Sequence, residues 1–166
     1  LGEYVWGYDD DTPEQAAGKS LMERGLSVAV MEMCTGGALA NSITDNPNSV
    51  SYFKGGNVAY DGAALKSCGV PGEVMEKHGV VSQETANAMA ETVRRHLNAD
   101  VGIAVTGVPG PGEFEGKPLG LAYICVSNGE KIREMEMRLP PRRVTIKRRV
   151  PNQALIELRR LVEETG

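Results

Sequence analysis

Residues 26–37, with the sequence LSVAVMEMCTGG, decide the fold class. The run at 26–31 is mostly apolar and of strand length, which is typical of a central strand that is buried on both faces. The small residues CTGG at 34–37 then permit a tight turn into a helix, which we expect to continue to about Thr44. A buried strand that turns directly into a helix indicates an α/β domain.

Strand and helix signals alternate through the rest of the chain. Helices are predicted from Thr12 to Gly25, with a capping box at the start, and from Ser82 onward, where the apolar residues fall on one face. Further strands are predicted at 51–60, 101–106, 119–127 and 131–139, and helical pieces at 61–79 with a break at 69–72. Asn128 and Gly129 predict a hairpin between the last two strands. The pattern predicts a mixed, mostly parallel sheet between helical layers, with one antiparallel hairpin.

Length and composition fit one domain, with 166 residues and a net charge of −4. Three cysteines without paired spacing and two histidines argue against a disulfide framework and a metal centre, and they favour a reducing, cytoplasmic compartment. No apolar run approaches the roughly 18 residues of a membrane span, and residues 1–11 lack the basic end and apolar stretch of a signal peptide. The mildly acidic balance gives no general attraction to nucleic acid.

The turn at 32–37 is the first candidate for chemistry. A strand that turns into a helix offers backbone N–H groups and a favourable dipole to an anion or to a developing negative charge. Cys34 is then a candidate nucleophile, because a helix N-terminus lowers the pKa of a thiol. The alternatives are a small buried structural cysteine and a glycine pair, Gly36 and Gly37, that only makes a tight packing turn.

A second candidate lies between Ser49 and Lys66, where hydroxyl groups, Tyr60 and a lysine follow one another. Tyrosine and lysine together can activate a serine, with lysine as the base and tyrosine as relay or donor. The alternatives are a solvated helix lysine and a tyrosine that packs at a strand end.

The Gly/Pro-rich segment 107–118 is the third candidate. It follows a predicted strand that ends at Thr106, so it is expected at the carboxyl edge of the sheet, where α/β proteins bind ligands. Its glycine spacing matches neither a Walker loop nor a Rossmann fingerprint. A plain connecting loop is the alternative, although rigid loops of this length are usually functional.

A basic helix closes the chain, and Pro151 is expected to kink or restart it. Arg143 and Lys147 lie one helical turn apart in this helix and are spaced to hold a phosphate. A solvated basic face is the alternative. Nucleic acid is a weaker option, because no aromatic residue interleaves with the basic run.

Together, these segments resemble the C-terminal domain of the competence/damage-inducible CinA proteins, a family that includes stand-alone nicotinamide-nucleotide amidases. The resemblance covers about residue 12 to the end of the chain and rests on five blocks. They are EMCTGG at 32–37, FKGGNVAY at 53–60, GVVSQETANAMA at 79–90, TGVPGP and KPLG within 106–120, and Arg143 with Ala154 and Leu155 in the closing helix.

The resemblance implies a three-layer α/β/α domain at 12–166 that hydrolyses the carboxamide of nicotinamide mononucleotide without a metal or a cofactor. It further implies a serine nucleophile helped by lysine and tyrosine, while the Thr-Gly loop and an arginine hold the nucleotide. Residues 1–11 resemble the final strand and linker of a preceding domain. The expected partners are therefore a pyridine nucleotide, an N-terminal CinA domain and further copies of the chain as a homo-oligomer, and no membrane.

Carried over residue by residue, the resemblance predicts two sets of site residues. The nucleotide-binding set is Glu32, Thr35, Gly36, Gly37, Thr106, Gly107, Lys117 and Arg143. At the catalytic positions the sequence departs from the family, because Met33 and Val50 stand where serines are expected and Leu65 stands where the lysine is expected. The neighbouring residues Ser49, Ser51 and Lys66, together with Tyr60, form the candidate catalytic group.

Two functions therefore stay open at this point. One is a metal-independent amidohydrolase that acts on nicotinamide mononucleotide with the rebuilt group of Ser49 or Ser51, Lys66 and Tyr60. The other is a catalytically silent module that binds a nucleotide or dimerises beside an N-terminal CinA domain.

Overall fold

The computed structural model describes residues 11–165. Within this range, helices and strands alternate as the sequence predicts. In chain order they are α1 (Pro13–Arg24), β1 (Val28–Glu32), α2 (Ala38–Thr44), β2 (Phe53–Val58), α3 (Gly62–Ser67), α4 (Gly72–His78), α5 (Gln83–His96), β3 (Val101–Gly107), β4 (Leu121–Ser127), β5 (Ile132–Arg138) and α6 (Arg143–Glu164). A 3-10 turn, Pro47–Ser51, precedes β2. The predicted linker at 1–11 lies outside the described residues, except for Asp11.

The described strands form one five-stranded sheet in the order β2-β1-β3-β4-β5. Strand β1 pairs in parallel with β2 and β3, whereas β4 runs antiparallel to both β3 and β5. Four of the five described strands thus share one direction, which confirms the predicted mixed, mostly parallel sheet with a closing hairpin. The carboxyl ends of β1, β2 and β3 therefore meet at one edge of the sheet, where the candidate segments 33–37 and 107–120 begin.

Helices cover both faces of the sheet, and the alternation of side chains along the strands builds two cores. Along β1, Val28 and Val30 face the core under α1, α2 and α6, while Ala29 and Met31 face the core under α3 and α5. Burial of each large apolar side chain contributes roughly 1.5–3 kcal/mol. The three-layer α/β/α arrangement implied by the family resemblance is confirmed.

Local signals set the ends of α1 and the close packing of β2 on β1. The side chain of Thr12 accepts a hydrogen bond from the Gln15 N–H group and completes a capping box, and Gly25 ends α1 in a left-handed conformation with φ 63°. In β2, a Cβ on Gly56 would lie 2.3 Å from the Val30 carbonyl oxygen, so only glycine permits this approach of the two strands.

Helix α6 runs through Pro151 without restarting, so of the two expected effects of this proline, the restart is wrong. Ile146 and Val150 before the proline and Leu155 after it are all buried in the core under α6. Packing of this apolar face outweighs the hydrogen bond that the proline removes, a loss of about 3 kcal/mol. One continuous helix therefore extends from the core to the residues around Arg143.

Candidate ligand-binding site

A cavity of about 230 Å³ opens at the carboxyl edge of the sheet. Met33 and Cys34 line it after β1, Tyr60 lines it after β2, and residues 107–114 line it after β3. This edge is the place where α/β sheets bind ligands. The Gly/Pro-rich loop after β3 therefore forms the larger part of a cavity wall, as expected for a ligand-binding loop.

The turn after β1 is closed by the carboxylate of Glu32. This side chain has no exposed surface, and its oxygens accept hydrogen bonds from the backbone N–H groups of Gly37, Leu39 and Ala40 at 3.1, 3.0 and 2.7 Å. The Thr35 hydroxyl donates a further bond to Glu32 Oε2 at 2.5 Å. The N-terminal amides of α2 are thus paired with a carboxylate from the preceding strand, which also complements the helix dipole.

Within this chain, Glu32 thus accepts N–H groups of the kind that the sequence prediction offered to an anion at this turn. A bound phosphate would need N–H groups that Glu32 already holds. Glu32 and Thr35 are buried outside the cavity wall, and Gly36 and Gly37 adopt left-handed conformations, with φ 60° and 97°, that shape the turn. The structure places these four residues in one turn beside the cavity, and their part in nucleotide binding stays a prediction.

Cys34 belongs to the cavity wall, but its thiol is buried. Burial, assisted by the nearby negative charge of Glu32, raises the pKa of the Cys34 thiol to about 12. The thiol is therefore protonated at neutral pH, which contradicts the interpretation of Cys34 as an activated nucleophile. The structure supports the alternative, a small buried cysteine.

The end of β3 is tied to the segment that precedes α5. Thr106 is fully buried, and its hydroxyl donates to the Val80 carbonyl oxygen at 2.9 Å and lies 3.1 Å from the Met33 sulfur. Gly107 lines the cavity, and a Cβ there would lie 2.7 Å from the Leu121 carbonyl oxygen. Thr106 therefore positions the strand end, and Gly107 is the member of this pair that faces the cavity.

Arg143 joins the end of β2 to the loop after β3. Its guanidinium donates to the Tyr60 hydroxyl at 2.9 Å and to the Gly110 carbonyl oxygen. One turn further along α6, the Lys147 ammonium lies 3.9 Å from the position that a Cβ on Gly36 would take. Both cations are exposed, and neither belongs to an ion pair within residues 11–165. Two uncompensated positive charges beside the cavity suit a phosphate group.

Two charged side chains hold the loop 107–120 against the segment before α5. The Glu115 carboxylate accepts hydrogen bonds from the Val80 and Val81 N–H groups at 3.0 and 3.1 Å. The Lys117 ammonium donates to the Val81 carbonyl oxygen. Lys117 therefore anchors the loop from outside the cavity wall, although the family resemblance placed it in the nucleotide-binding set.

A hairpin at the loop tip shapes the cavity, and the sequence analysis did not identify it. Phe114 and Lys117 exchange two backbone hydrogen bonds, at 3.1 and 2.9 Å, around Glu115 and Gly116, whose φ values are 53° and 70°. Positive φ at both central residues is characteristic of a type I′ turn. The available signal was the Glu-Gly pair, which is weaker than Asn-Gly or Asp-Gly. The hairpin sets Phe114, and Glu113 before it, into the cavity wall.

The structure does not bring the candidate serines to Tyr60 within one chain. Ser49 and Ser51 lie in the 3-10 turn at the amino end of β2, whereas Tyr60 lies beyond its carboxyl end. A strand of six residues spans about 20 Å. Ser49 is buried, and the Ser51 hydroxyl donates to the Asn48 carbonyl oxygen at 2.8 Å.

Lys66 also lies outside the cavity wall. It is exposed on α3, with its ammonium 3.4 Å from the position that a Cβ on Gly72 would take. Leu65 is fully buried in the same apolar cluster as Met33, and Val50 is 89% exposed before β2. Two of the three positions at which the family resemblance predicts a departure, Met33 and Leu65, thus belong to one apolar cluster.

Within residues 11–165, no group of three or more histidine, cysteine, aspartate or glutamate side chains is arranged to hold a metal ion. Both histidines, His78 and His96, lie outside the cavity wall. None of the helices described here combines the length and the apolarity that crossing a membrane requires.

A three-layer α/β/α domain with a cavity at the carboxyl edge of its parallel strands has the architecture of a ligand-binding α/β protein. Residues 10–162 match the sequence model of the CinA C-terminal domain, and the chain belongs to this family. The resemblance drawn from the five sequence blocks is therefore confirmed.

Individual proteins of this family are similar to this chain in sequence or in structure. A protein described as competence-damage inducible from Desulforudis audaxviator is 41% identical over 157 residues, which cover 93% of this chain and 38% of the relative. The chain thus spans less than half the length of that relative. A CinA superfamily protein from Klebsiella pneumoniae has a similar structure, with a TM-score of 0.87 at 23% identity over 92% of this chain and 96% of that chain. A competence/damage inducible protein from Agrobacterium tumefaciens gives a TM-score of 0.81 at 28% identity over 93% and 94%.

Proposed function

We propose that the domain binds a pyridine nucleotide, with nicotinamide mononucleotide as the first ligand to test, and that it does not hydrolyse the carboxamide. The observation that carries this proposal is the composition of the cavity and its rim. Two uncompensated cations lie beside the cavity, while the side chains after β1 that line it are Met33 and the protonated Cys34. The groups suited to binding are present, and an activated nucleophile is not among these lining side chains.

The binding part of the proposal rests on Arg143 and Lys147. The bonds that Arg143 makes to Tyr60 and Gly110 hold its guanidinium at the rim, so little side-chain entropy is lost when an anion binds. Lys147 adds a second positive charge from the next turn of α6. In this proposal the phosphate lies at these two cations and the ring enters the cavity.

The absence of hydrolysis rests on the two apolar substitutions. Amide hydrolysis through a covalent intermediate needs an attacking oxygen or sulfur and a base within reach. Met33 has no proton to lose and Leu65 has no amine, and the two pack in one apolar cluster. Loss of a nucleophile lowers a rate by several orders of magnitude, so binding can persist without measurable turnover.

Amide hydrolysis at the same site is the second candidate. It is favoured by the contact of Arg143 with Tyr60, which sets a phenol at the cavity where the family resemblance expects one. Lys66 and one of the two serines would still have to reach Tyr60. Because β2 separates Ser49 and Ser51 from Tyr60 within one chain, a second copy of the chain would have to bring the serine.

The binding proposal is tested by calorimetric titration of nicotinamide mononucleotide into the wild-type domain and two arginine variants. Arg143→Ala removes a charged hydrogen-bond donor from the rim and is expected to weaken binding about tenfold to a hundredfold. Arg149→Ala removes an exposed arginine of the same helix that lies outside the cavity wall, and its dissociation constant should stay within about twofold of wild type. Equal losses in both variants, or no binding by the wild type, would contradict the proposal.

A further inference from the structure

Glu113 and Phe114 line the cavity but have no part in the proposed phosphate contact. Phe114 keeps 43% of its surface exposed, although it lies on a loop that other contacts hold in place. Tyr60, with 53% of its surface exposed, lines the same cavity from the end of β2. Two exposed aromatic side chains in one cavity wall offer surfaces on which a planar ring can stack.

The backbone around Phe114 is held in place by contacts within the chain. The tight turn after it is closed by two backbone hydrogen bonds, and the Glu115 carboxylate holds that turn on the N–H groups of Val80 and Val81. A Cβ on Gly79 would lie 2.6 Å from Glu115 Oε2, so glycine permits this close approach. A loop whose backbone is already held in place loses little backbone entropy when a ligand binds, which favours its use in recognition.

The charges around the cavity are arranged with opposite signs. Arg143 contacts Tyr60, and Lys147 lies near Gly36 on the same side, whereas the exposed residue Glu113, which precedes Phe114, brings a negative charge to the cavity wall. An aromatic face attracts a cation through its quadrupole, and a carboxylate adds direct attraction. The matching ligand is negative at its phosphate and positive at its ring.

Building on the proposed function, we propose that Glu113 and Phe114 select the charge of the ligand's ring. The domain prefers a nucleotide whose ring is a cationic, quaternary pyridinium over the same nucleotide with an electrically neutral ring. The phosphate contacts supply affinity to both forms, because both carry the same ribose phosphate. Glu113 and Phe114 discriminate between them at the ring.

The test uses one matched pair of ligands, nicotinamide mononucleotide with its cationic ring and its reduced, dihydropyridine form with a neutral ring. Calorimetric titration of the wild-type domain should show about tenfold tighter binding of the cationic form. Glu113→Gln and Phe114→Leu should each reduce this ratio about threefold or more, mainly by weakening the cationic form. Glu130→Gln, which removes the same charge from the exposed turn between β4 and β5, should keep the wild-type ratio.

Each outcome separates this inference from the proposal on which it rests. A ratio that falls in both cavity variants and stays constant in the Glu130 variant supports ring selection. Equal affinity of the wild type for the two forms, or a ratio that both cavity variants leave unchanged, overturns ring selection while nucleotide binding stands. Failure of both forms to bind the wild type overturns nucleotide binding itself, and ring selection with it.

Discussion

Two glycine-rich segments leave neighbouring parallel strands at the same edge of the sheet. The chain itself fills the inner side of the first segment, whereas the second borders an open cavity. In the turn 33–37 after β1, the chain's own Glu32 takes the N–H groups that an anion would use. In the loop 107–120 after β3, a carboxylate also accepts backbone N–H groups, but Glu115 does so from the loop tip and binds the segment before α5. The first turn is therefore closed, and the second forms the wall of an open cavity.

The difference lies in where the carboxylate is placed, because both segments are rich in glycine and both follow a buried strand. Glu32 comes before its turn and its side chain fills the inner side. Glu115 sits at the far end of its loop, so the inner side is left to Met33, Tyr60 and the loop backbone. In this chain, a glycine-rich segment at a strand end thus borders an open cavity where the chain itself does not occupy its inner donors and space.

The largest effect is expected from opening the closed turn. Glu32→Ala leaves the buried N–H group of Leu39, two partly buried N–H groups and the Thr35 hydroxyl without their acceptor, and it should lower the free energy of unfolding by about 3–5 kcal/mol. Urea unfolding measures this loss. Glu23→Ala, at an exposed position of α1, serves as the control and should change stability by less than about 0.5 kcal/mol. A Glu32→Ala loss no larger than that of the control would contradict the closed-turn account.

A smaller effect is expected from releasing the loop of the open site. Glu115→Ala removes the acceptor of the Val80 and Val81 N–H groups and should lower stability by about 1–3 kcal/mol. Amide hydrogen exchange should show faster exchange at these two residues, and nicotinamide mononucleotide should bind several times more weakly. Glu130→Ala, which removes an exposed glutamate from the turn between β4 and β5, serves as the control. Unchanged exchange at Val80 and Val81 would mean that other contacts hold the loop.

The smallest effect concerns the pH dependence of the closed turn. Because the folded pKa of Cys34 is raised from 9.0 to about 12, its contribution to stability is complete below pH 9 and is lost as the pH rises from 9 towards 12. The unfolded thiol releases its proton in this range while the folded thiol keeps it, so stability should fall by up to about 1.4 kcal/mol per pH unit. The free energy of unfolding is measured at pH 8, 9, 10 and 10.5. It should fall less with rising pH in Cys34→Ala than in the wild type. Parallel pH profiles would show that Cys34 ionises equally easily in both states.

The sequence predicted the elements well because their signals are local. Thr12 and Gly25 bracket α1 through capping chemistry, and the Asn128-Gly129 pair marks the hairpin of β4 and β5. The position of the loop at 107 followed from its place after a buried strand, which predicted that it lies at the carboxyl edge of the sheet. Local patterns and strand direction were sufficient for these points.

The partners of individual side chains were not predictable in the same way. Nothing in the residues 32–37 shows that the Glu32 carboxylate turns back onto the amides of α2. The distance from Ser49 to Tyr60 depends on which end of β2 each occupies, and Leu65 and Lys66 point in directions about 100° apart on a helix. Leu65 faces the core and Lys66 faces solvent, so a shift of one residue changes the surroundings of the side chain completely. Such contacts depend on the assembled fold.

Ammonia release from nicotinamide mononucleotide tests the central claim most directly. The domain is held in excess over the nucleotide, at a concentration at which calorimetry shows the nucleotide to be bound, and a Lys66→Ala variant is measured in parallel. The account predicts binding by the wild type with no ammonia above the enzyme-free background. Ammonia release by the wild type that disappears in Lys66→Ala would contradict it, because a lysine that lies outside the cavity wall in this structure would then take part in catalysis.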